Sequence, residues 1–391
     1  MGAFKHGARH LQQEASATPG RLSGLTAGRG YSRIMVQLRV VLDQTGSPTA
    51  GDDAWVARSL ARGLVETAPA GCDVAAIVPN GAEDTMIPGV SEVHRMRLGR
   101  RELAAAWQFG VPAGVGAGMI HAPSLLAPLV RHDRVHNHDQ TVVTIWDLCA
   151  WENTAGLPTS TAAWQRAMLR RAVRHADAVV VPSHAIAARL GEHAAFGDRV
   201  RVIAGAAPTG FAVPADATQR REDLLIPDRY VVIVGRGDQL GDGFAAAAAA
   251  GLEAVVLDVA EGAEPEVVAR GAAAGLSERA VHARGRGEVR DRASVIGGAE
   301  ALLVAGDGFA WPWRAIEALA LGVPVVAVAS DVHADVLADG AALVGVDELA
   351  DALIDAVGDG AQRARVLAAD RGRAFSWQGA AERVWALHAE L

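Results

Sequence analysis

The sequence predicts an α/β protein built from two doubly wound, Rossmann-like parallel sheets. Three observations predict it. Short, unbroken runs rich in Val and Ile alternate with helical stretches over most of the chain, as parallel strands covered on both faces require. The rhythm stops once, over 205–229, where Gly, Pro and polar residues gather, and then restarts. The 391 residues exceed one ordinary core and suit two domains.

Taken in order, residues 1–34 carry Lys5, Arg9, Arg21, Arg29 and Arg33 against one acid, Glu14, with no sustained apolar period. They are expected to form a flexible tail or an over-long start, with a targeting role as the alternative; they lack the apolar core of a secretory signal. Strands are predicted over 37–43, 73–78, 92–98, 118–121, 142–146, 178–182 and 200–204, with helices over 54–65, 161–175 and 184–192. Residues 205–229 then read as a linker. The second series places strands over 230–235, 253–258, 280–283, 300–305, 323–328 and 341–344. The alanine-rich run 244–250 is a helix, since Ala is the best helix former and Gly251 ends it. A last helix over 380–391 shows Val384, Leu387 and Leu391 at helical spacing and needs a surface to cover.

Composition narrows the function. The formal net charge is −8, from 37 basic and 45 acidic residues, which argues against a nucleic-acid binder. Cys72 and Cys149 are the only cysteines, too few for a disulfide framework or a four-cysteine zinc site, and a reducing cytoplasm fits. No apolar run reaches the ~20 residues of a membrane span. The chain has no lysine after Lys5, so a phosphate held by a strong side-chain cation must be held by arginine.

The candidate chemistry sits at strand ends. The strand over 300–305 runs into Asp307, Gly308 and Phe309, and a helix follows from about Trp313 to Leu321. Gly308 allows close backbone approach, the helix start offers free N–H groups to an anion, and strand carboxyl ends are where open α/β sheets bind ligands. The ordinary alternative is a plain strand-to-helix connection. The run HDRVHNHD at 132–139 has the composition of a metal site, but without further ligands in register it reads as a polar surface loop. Trp146, Trp151, Trp311 and Trp313 fall on two loops expected to face each other. They suit either sugar stacking or packing between domains.

These stretches resemble family four of the retaining glycosyltransferases, the glycosyl transferases group 1 with the GT-B fold. The most specific match is DGFAWPWRAIEALALGVPVVA at 307–327. It is supported by TIWDL at 144–148, RHADAVVVPSHAIAARL at 174–190, IPDRYVVIVGR at 226–236, SDVHADVLADGAALV at 330–344 and FSWQGAAERVWALHAEL at 375–391. The resemblance implies two Rossmann-like domains facing across a cleft. An acceptor-side domain would cover 35–212 and a nucleotide-sugar donor domain 213–374, with 375–391 crossing back as a helix.

It also implies sugar transfer with retention from a nucleotide sugar to a glycan, lipid-linked or small-molecule acceptor. The nucleotide sugar is a substrate, so no cofactor is expected, and no metal. Glu317 matches the carboxylate that holds the nucleotide ribose and Asp307 the one at the sugar hydroxyls. Arg236 matches the diphosphate cation, and the backbone at Gly308 and Phe309 would contact the donor.

The sequence departs from the family in four places. Asp307 is one methylene shorter than the usual glutamate, and two residues are inserted around Trp313 and Arg314, so that Asp307 and Glu317 stand ten apart rather than eight. Trp146 replaces a histidine and cannot exchange a proton. Gly241 replaces a lysine five residues after Arg236; the loss of such a donor costs on the order of 10²–10³ in rate. Arg314 is the candidate substitute for that lysine, or else a solvent-facing arginine. Gly51, Asp52 and Asp53 replace a glycine-rich loop, and their carboxylates would repel a diphosphate unless offset by arginine.

The expected protein is therefore a cytoplasmic glycosyltransferase, with contact at the inner face of the membrane left open. Two alternatives stand: a weakened or non-catalytic GT-B homologue that acts as a binding or scaffold protein, and a sugar-nucleotide epimerase.

Overall fold

The computed structural model describes residues 36–42, 52–82, 87–154, 157–306 and 308–391. The tail expected over 1–34 lies outside them, as do Gly51 and Asp307.

Seven strands form the first sheet: β1 Val36–Val41, β2 Cys72–Asn80, β3 Glu92–Gly99, β4 Met119–Ala122, β5 Gln140–Thr144, β6 Ala178–Val181 and β7 Val200–Val202. Their order is β3-β2-β1-β4-β5-β6-β7, every pair parallel. Six strands form the second: β8 Tyr230–Val234, β9 Glu253–Val256, β10 Val281–Ala283, β11 Ala301–Val304, β12 Val325–Val328 and β13 Ala342–Val344. Their order is β10-β9-β8-β11-β12-β13, again parallel throughout. The winding direction reverses between β1 and β4 and between β8 and β11, and ligands of such sheets bind outside these switch points.

The apolar runs form strands because they are sealed on both faces. All of β5, β6 and β11 is buried, which a parallel sheet under helices demands. The stretch 205–229 differs from its reading as a linker. It contains a helix, Ala217–Asp223, tied by Arg220 to Asp291 at 2.7 Å on the helix Val289–Gly297.

The last helix, Trp377–Glu390, belongs by its contacts to the first sheet. Trp385 Nε1 donates to Leu64 O at 3.0 Å, and Trp377 Nε1 to Ala207 O at 2.8 Å. It crosses the helix Asp52–Glu66 at Gly63, where a Cβ would lie 2.7 Å from the carbonyl oxygen of Trp377. Only glycine permits that approach. Its buried end is polar: His388 Nδ1 meets Gln140 Oε1 at 2.8 Å, and Gln140 Nε2 donates back to His388 O at 3.2 Å. The His121 ring lies 5.6 Å away, with its Nε2 3.3 Å from Thr144 Oγ1. His121 Nδ1 and His388 Nε2 have no hydrogen-bond partner.

Burial pushes the His121 pKa well below the ordinary range, and His388 pushes it further. Burial likewise lowers His388 to about 4, against an opposing pull from Asp177. Both folded-state values lie below the unfolded one, near 6.5, so the unfolded chain binds more protons as acid is added. Stability is therefore lost as pH falls through the window below about 6.5. His388 alone should remove about 2 kcal/mol between about pH 7 and about pH 5. Urea unfolding across that range measures this, and His388→Gln should flatten the slope; an unchanged slope in a folded variant would exclude His388 as its source.

Candidate functional site

The carboxyl edges of the two sheets face one another, and three layers of contact join them. The first is backbone. The loop after β5 and the loop after β11 form an antiparallel bridge at Asp147 and Ala310. Leu148 N donates to Phe309 O and Trp311 N to Trp146 O, both at 2.9 Å. Arg189 adds a bond to Gly308 O at 3.2 Å and places its guanidinium over the Phe309 ring at 5.9 Å. Gly308 is glycine for packing as well, since a Cβ there would meet Val332 Cβ at 2.9 Å.

The second layer is aromatic. Trp313 opens the helix Trp313–Ala320 and touches Trp55 at 4.8 Å, Trp146 at 5.0 Å, Trp311 at 6.2 Å and Trp377 at 6.5 Å between ring centroids. Those rings come from both halves and from the last helix, and each such pair is worth ~0.5–1.5 kcal/mol beyond its buried area. Gly205 makes room, since a Cβ there would stand 2.8 Å from the Trp313 ring. Of the four tryptophans singled out in the sequence, Trp146, Trp311 and Trp313 thus pack between domains, whereas Trp151 stacks on His193. Trp146 also spends its Nε1–H on Pro123 O at 2.8 Å.

The third layer is ionic. Arg314 is 4% exposed and commits each guanidinium nitrogen to a carboxylate. Nε bonds Asp258 at 2.7 Å, Nη2 bonds Asp52 at 2.8 Å and Nη1 bonds Glu317 at 3.1 Å. Asp52 begins the helix Asp52–Glu66 of the first half, so this cluster crosses the domain boundary. Arg286 lies 3.4 Å from Asp52 and 3.6 Å from Asp258. Glu317, fully buried, also receives Arg292 through Nε at 2.9 Å and Nη2 at 2.7 Å. Three carboxylates face three guanidiniums, so the charges balance in a site that could not hold them singly.

Burial alone would raise the Asp52 carboxyl, but Arg314 and Arg286 hold it below the usual range. Burial alone would lower Arg314, but Glu317, Asp52 and Asp258 together raise it well above normal.

The sequence-predicted residues therefore divide. Glu317 and Arg314 are brought together, at each other's side rather than open to solvent. The Asp52 carboxylate, expected to need an arginine, has two. Arg236 follows β8 at the switch point and is exposed. Its charge reaches the first half at Cys149, whose thiol burial and Asp147 push up to about 12 while Arg236 opposes them. Asp307 lies outside the described residues. In the 132–139 run, Asp133 caps the helix Arg134–Asn137, His132 pairs with Asp177 at 2.7 Å, and Asp139 accepts from Gly118 N at 2.6 Å. Among the described residues no group of three His, Cys, Asp or Glu side chains is placed to hold a metal.

Sequence reasoning missed Asp258, Arg286 and Arg292. Asp258 adopts φ +61°, an uncommon backbone for a residue other than glycine that flags a functional or structural constraint. Asp258 and Arg292 line a small pocket of about 30 Å³ with Leu224, Leu257, Gly285 and Val295. The pocket lies at the carboxyl ends of β9 and β10, where open α/β sheets bind ligands.

No family model matches the chain, and no curated protein matches it. Solved structures do. The chain is similar to sucrose-phosphate synthase from Thermosynechococcus elongatus, with a TM-score of 0.65 and 21% identity over 91% of this chain and 98% of that one. It is similar to HepE from Anabaena in complex with UDP and glucose, at TM-score 0.61 and 16% identity, over 91% of this chain and all of that one. AviGT4, a glycosyltransferase involved in avilamycin A biosynthesis, matches at TM-score 0.56 and 16% identity over 91% and 98%. The fold is GT-B: two Rossmann-like domains facing across a cleft.

Arg314→Met should cost about 3–5 kcal/mol, because the fully buried Glu317 and the half-buried Asp52 and Asp258 all lose a partner. Asp52→Asn, which keeps an oxygen near Arg314, should cost less. Chemical denaturation measures both; a loss under about 1 kcal/mol for Arg314→Met would mean that the cluster is not a structural clamp.

Proposed function

We propose that this protein transfers a sugar from a nucleotide-sugar donor to an acceptor, with retention at the anomeric carbon. One observation carries the reading: the Asp258–Arg292 pocket lies at the carboxyl edge of the second sheet, with Arg236 exposed at the neighbouring switch point. HepE holds UDP and glucose on the same fold, which makes a uridine nucleotide the first donor to test.

On this reading the nucleoside sits over the mouth of the pocket, beside Leu257 and Val295, and Arg236 offsets the charge that builds on the departing diphosphate. The backbone at Gly308 and Phe309 borders the donor, and Asp307 serves the sugar hydroxyls. Glu317 acts on the ribose side by fixing Arg292 in the pocket wall, and Arg314 acts by holding Asp258. Direct ribose or phosphate contacts from Glu317 or Arg314 would require their ion pairs to rearrange. Retention needs no protein nucleophile here; the chain orients two substrates and stabilises the leaving group. Trp146 contributes shape and packing in place of a proton-exchanging side chain.

A second reading is favoured by Trp146 and by the sealed Glu317 and Arg314: a GT-B shell that binds without transferring. One series of measurements separates the two. A uridine diphosphate at about 100 times its dissociation constant should add ~2.7 kcal/mol of stability. Gly285→Leu, which fills the pocket where a Cβ meets nothing closer than 3.7 Å, should abolish that gain. Arg236→Ala should lower turnover on the order of 10²–10³-fold. Nucleotide binding without turnover of any nucleotide sugar supports the shell; no binding of uridine, guanosine or adenosine diphosphate sinks the transferase reading.

A further inference from the structure

We propose that the amino-terminal edge of the first sheet, on the side away from the cleft, docks on an anionic lipid bilayer. Three large apolar side chains stand out from that edge: Phe109 is 78% exposed, Val135 76% and Val111 50%. They sit where the topology puts loops that precede strands. Phe109 and Val111 follow the helix Arg100–Gln108 on the way to β4, and Val135 lies in the helix Arg134–Asn137 just before β5.

Contacts join these loops into one patch. Gly110 packs on Arg171, whose Nη2 is 2.6 Å from where a Cβ would be. Arg171 in turn donates to Leu129 O at 3.0 Å, at the start of the segment that holds Arg131 to Val135. His175 closes the ring: after burial, the charges of Arg171, His132 and Arg174 lower its pKa.

The charge of the patch selects its partner. Arg131, Arg170 and Arg174 are exposed and make no ion pair among the described residues. Arg170 and Arg174, four apart on the helix Thr159–His175, share one face. The acids nearby are engaged: Asp133, exposed, caps a helix and pairs with His136, Asp139 accepts from Gly118 N, and Asp177 holds His132 and Thr141 N. Basic side chains around protruding aromatic and aliphatic tips are the footprint of a protein lying on an anionic membrane surface.

The rest of the molecule supports the choice. A chain of net charge −8 is repelled as a whole by an anionic surface, and this basic face offsets that repulsion locally. Because the patch lies at the opposite strand ends from the cleft, docking leaves the candidate site open. This goes beyond the transferase reading, and its test needs no donor.

The experiment is co-sedimentation of the full chain with vesicles of phosphatidylcholine alone or with about a third phosphatidylglycerol. Partition should be confined to the anionic vesicles and should fall with salt. Since each basic residue contributes about fivefold, Arg170→Glu with Arg174→Glu should weaken it by tenfold or more. Phe109→Ser with Val111→Ser should weaken it with thermal unfolding unchanged. Equal partition to both vesicles, no partition, or wild-type partition by either double variant would overturn the proposal. So would loss of a dimer, seen by light scattering, as the only consequence of the serine variant.

Discussion

Arg314 keeps a full charge in a site that is 4% exposed, and the relation between the two halves turns on how that charge is met. A lone guanidinium there would be prohibitively costly. Its three carboxylates come from three places: Glu317 from its own helix, Asp258 from the end of β9, and Asp52 from the first helix of the other half. Satisfying one arginine therefore requires both sheets to be in position at once. The buried pairs add little net stability over an apolar core, but they penalise every arrangement in which the halves slide or part. That penalty is what makes them a specifying device.

Trp313, the residue before Arg314, does the same work with apolar surface. The two residues sit where the chain is longer than the family pattern it resembles, and each is the centre of a cross-domain cluster, one aromatic and one ionic. In this chain both residues join the halves. The bridge at Asp147 and Ala310 adds backbone hydrogen bonds to the same seam. Together they explain why Trp146 fits where a histidine is usual: an indole fills the seam and satisfies its single donor on Pro123 O.

The sheets were legible in the sequence because parallel strands buried on both faces leave unbroken Val and Ile runs, and 178–182 or 323–328 have few other uses. The helix Ala217–Asp223 was hidden because its residues, ATQRRED, are polar and its anchoring is a long-range ion pair to Asp291. The site was legible in part. Motif matching singled out Glu317, which the fold seals in the ionic cluster, and Arg236, which it leaves exposed after β8, since a glycine loop between strand and helix survives as a local pattern. It did not reveal Arg292 or Asp258, because their importance lies in partners 25 and 56 residues away. Asp52 was noticed for the repulsion it would cause. The fold answers that repulsion with Arg314 and Arg286, a pairing that only tertiary structure brings about.

The same connectivity has a thermodynamic consequence for the proposed donor site. Arg292 lines the pocket and grips Glu317; Glu317 grips Arg314; Arg314 grips Asp52 in the opposite half. A ligand that draws on Arg292 changes the field at Glu317 and hence the balance among the carboxylates competing for Arg314. If the ligand favours one arrangement of the halves by some factor, that arrangement favours the ligand by the same factor, because coupling free energies are reciprocal. On the transferase reading, a donor that draws on Arg292 would feel the position of the halves through this chain of ion pairs. The close-packed aromatic layer would hold any such change to a few discrete packings, since close-packed rings do not deform continuously.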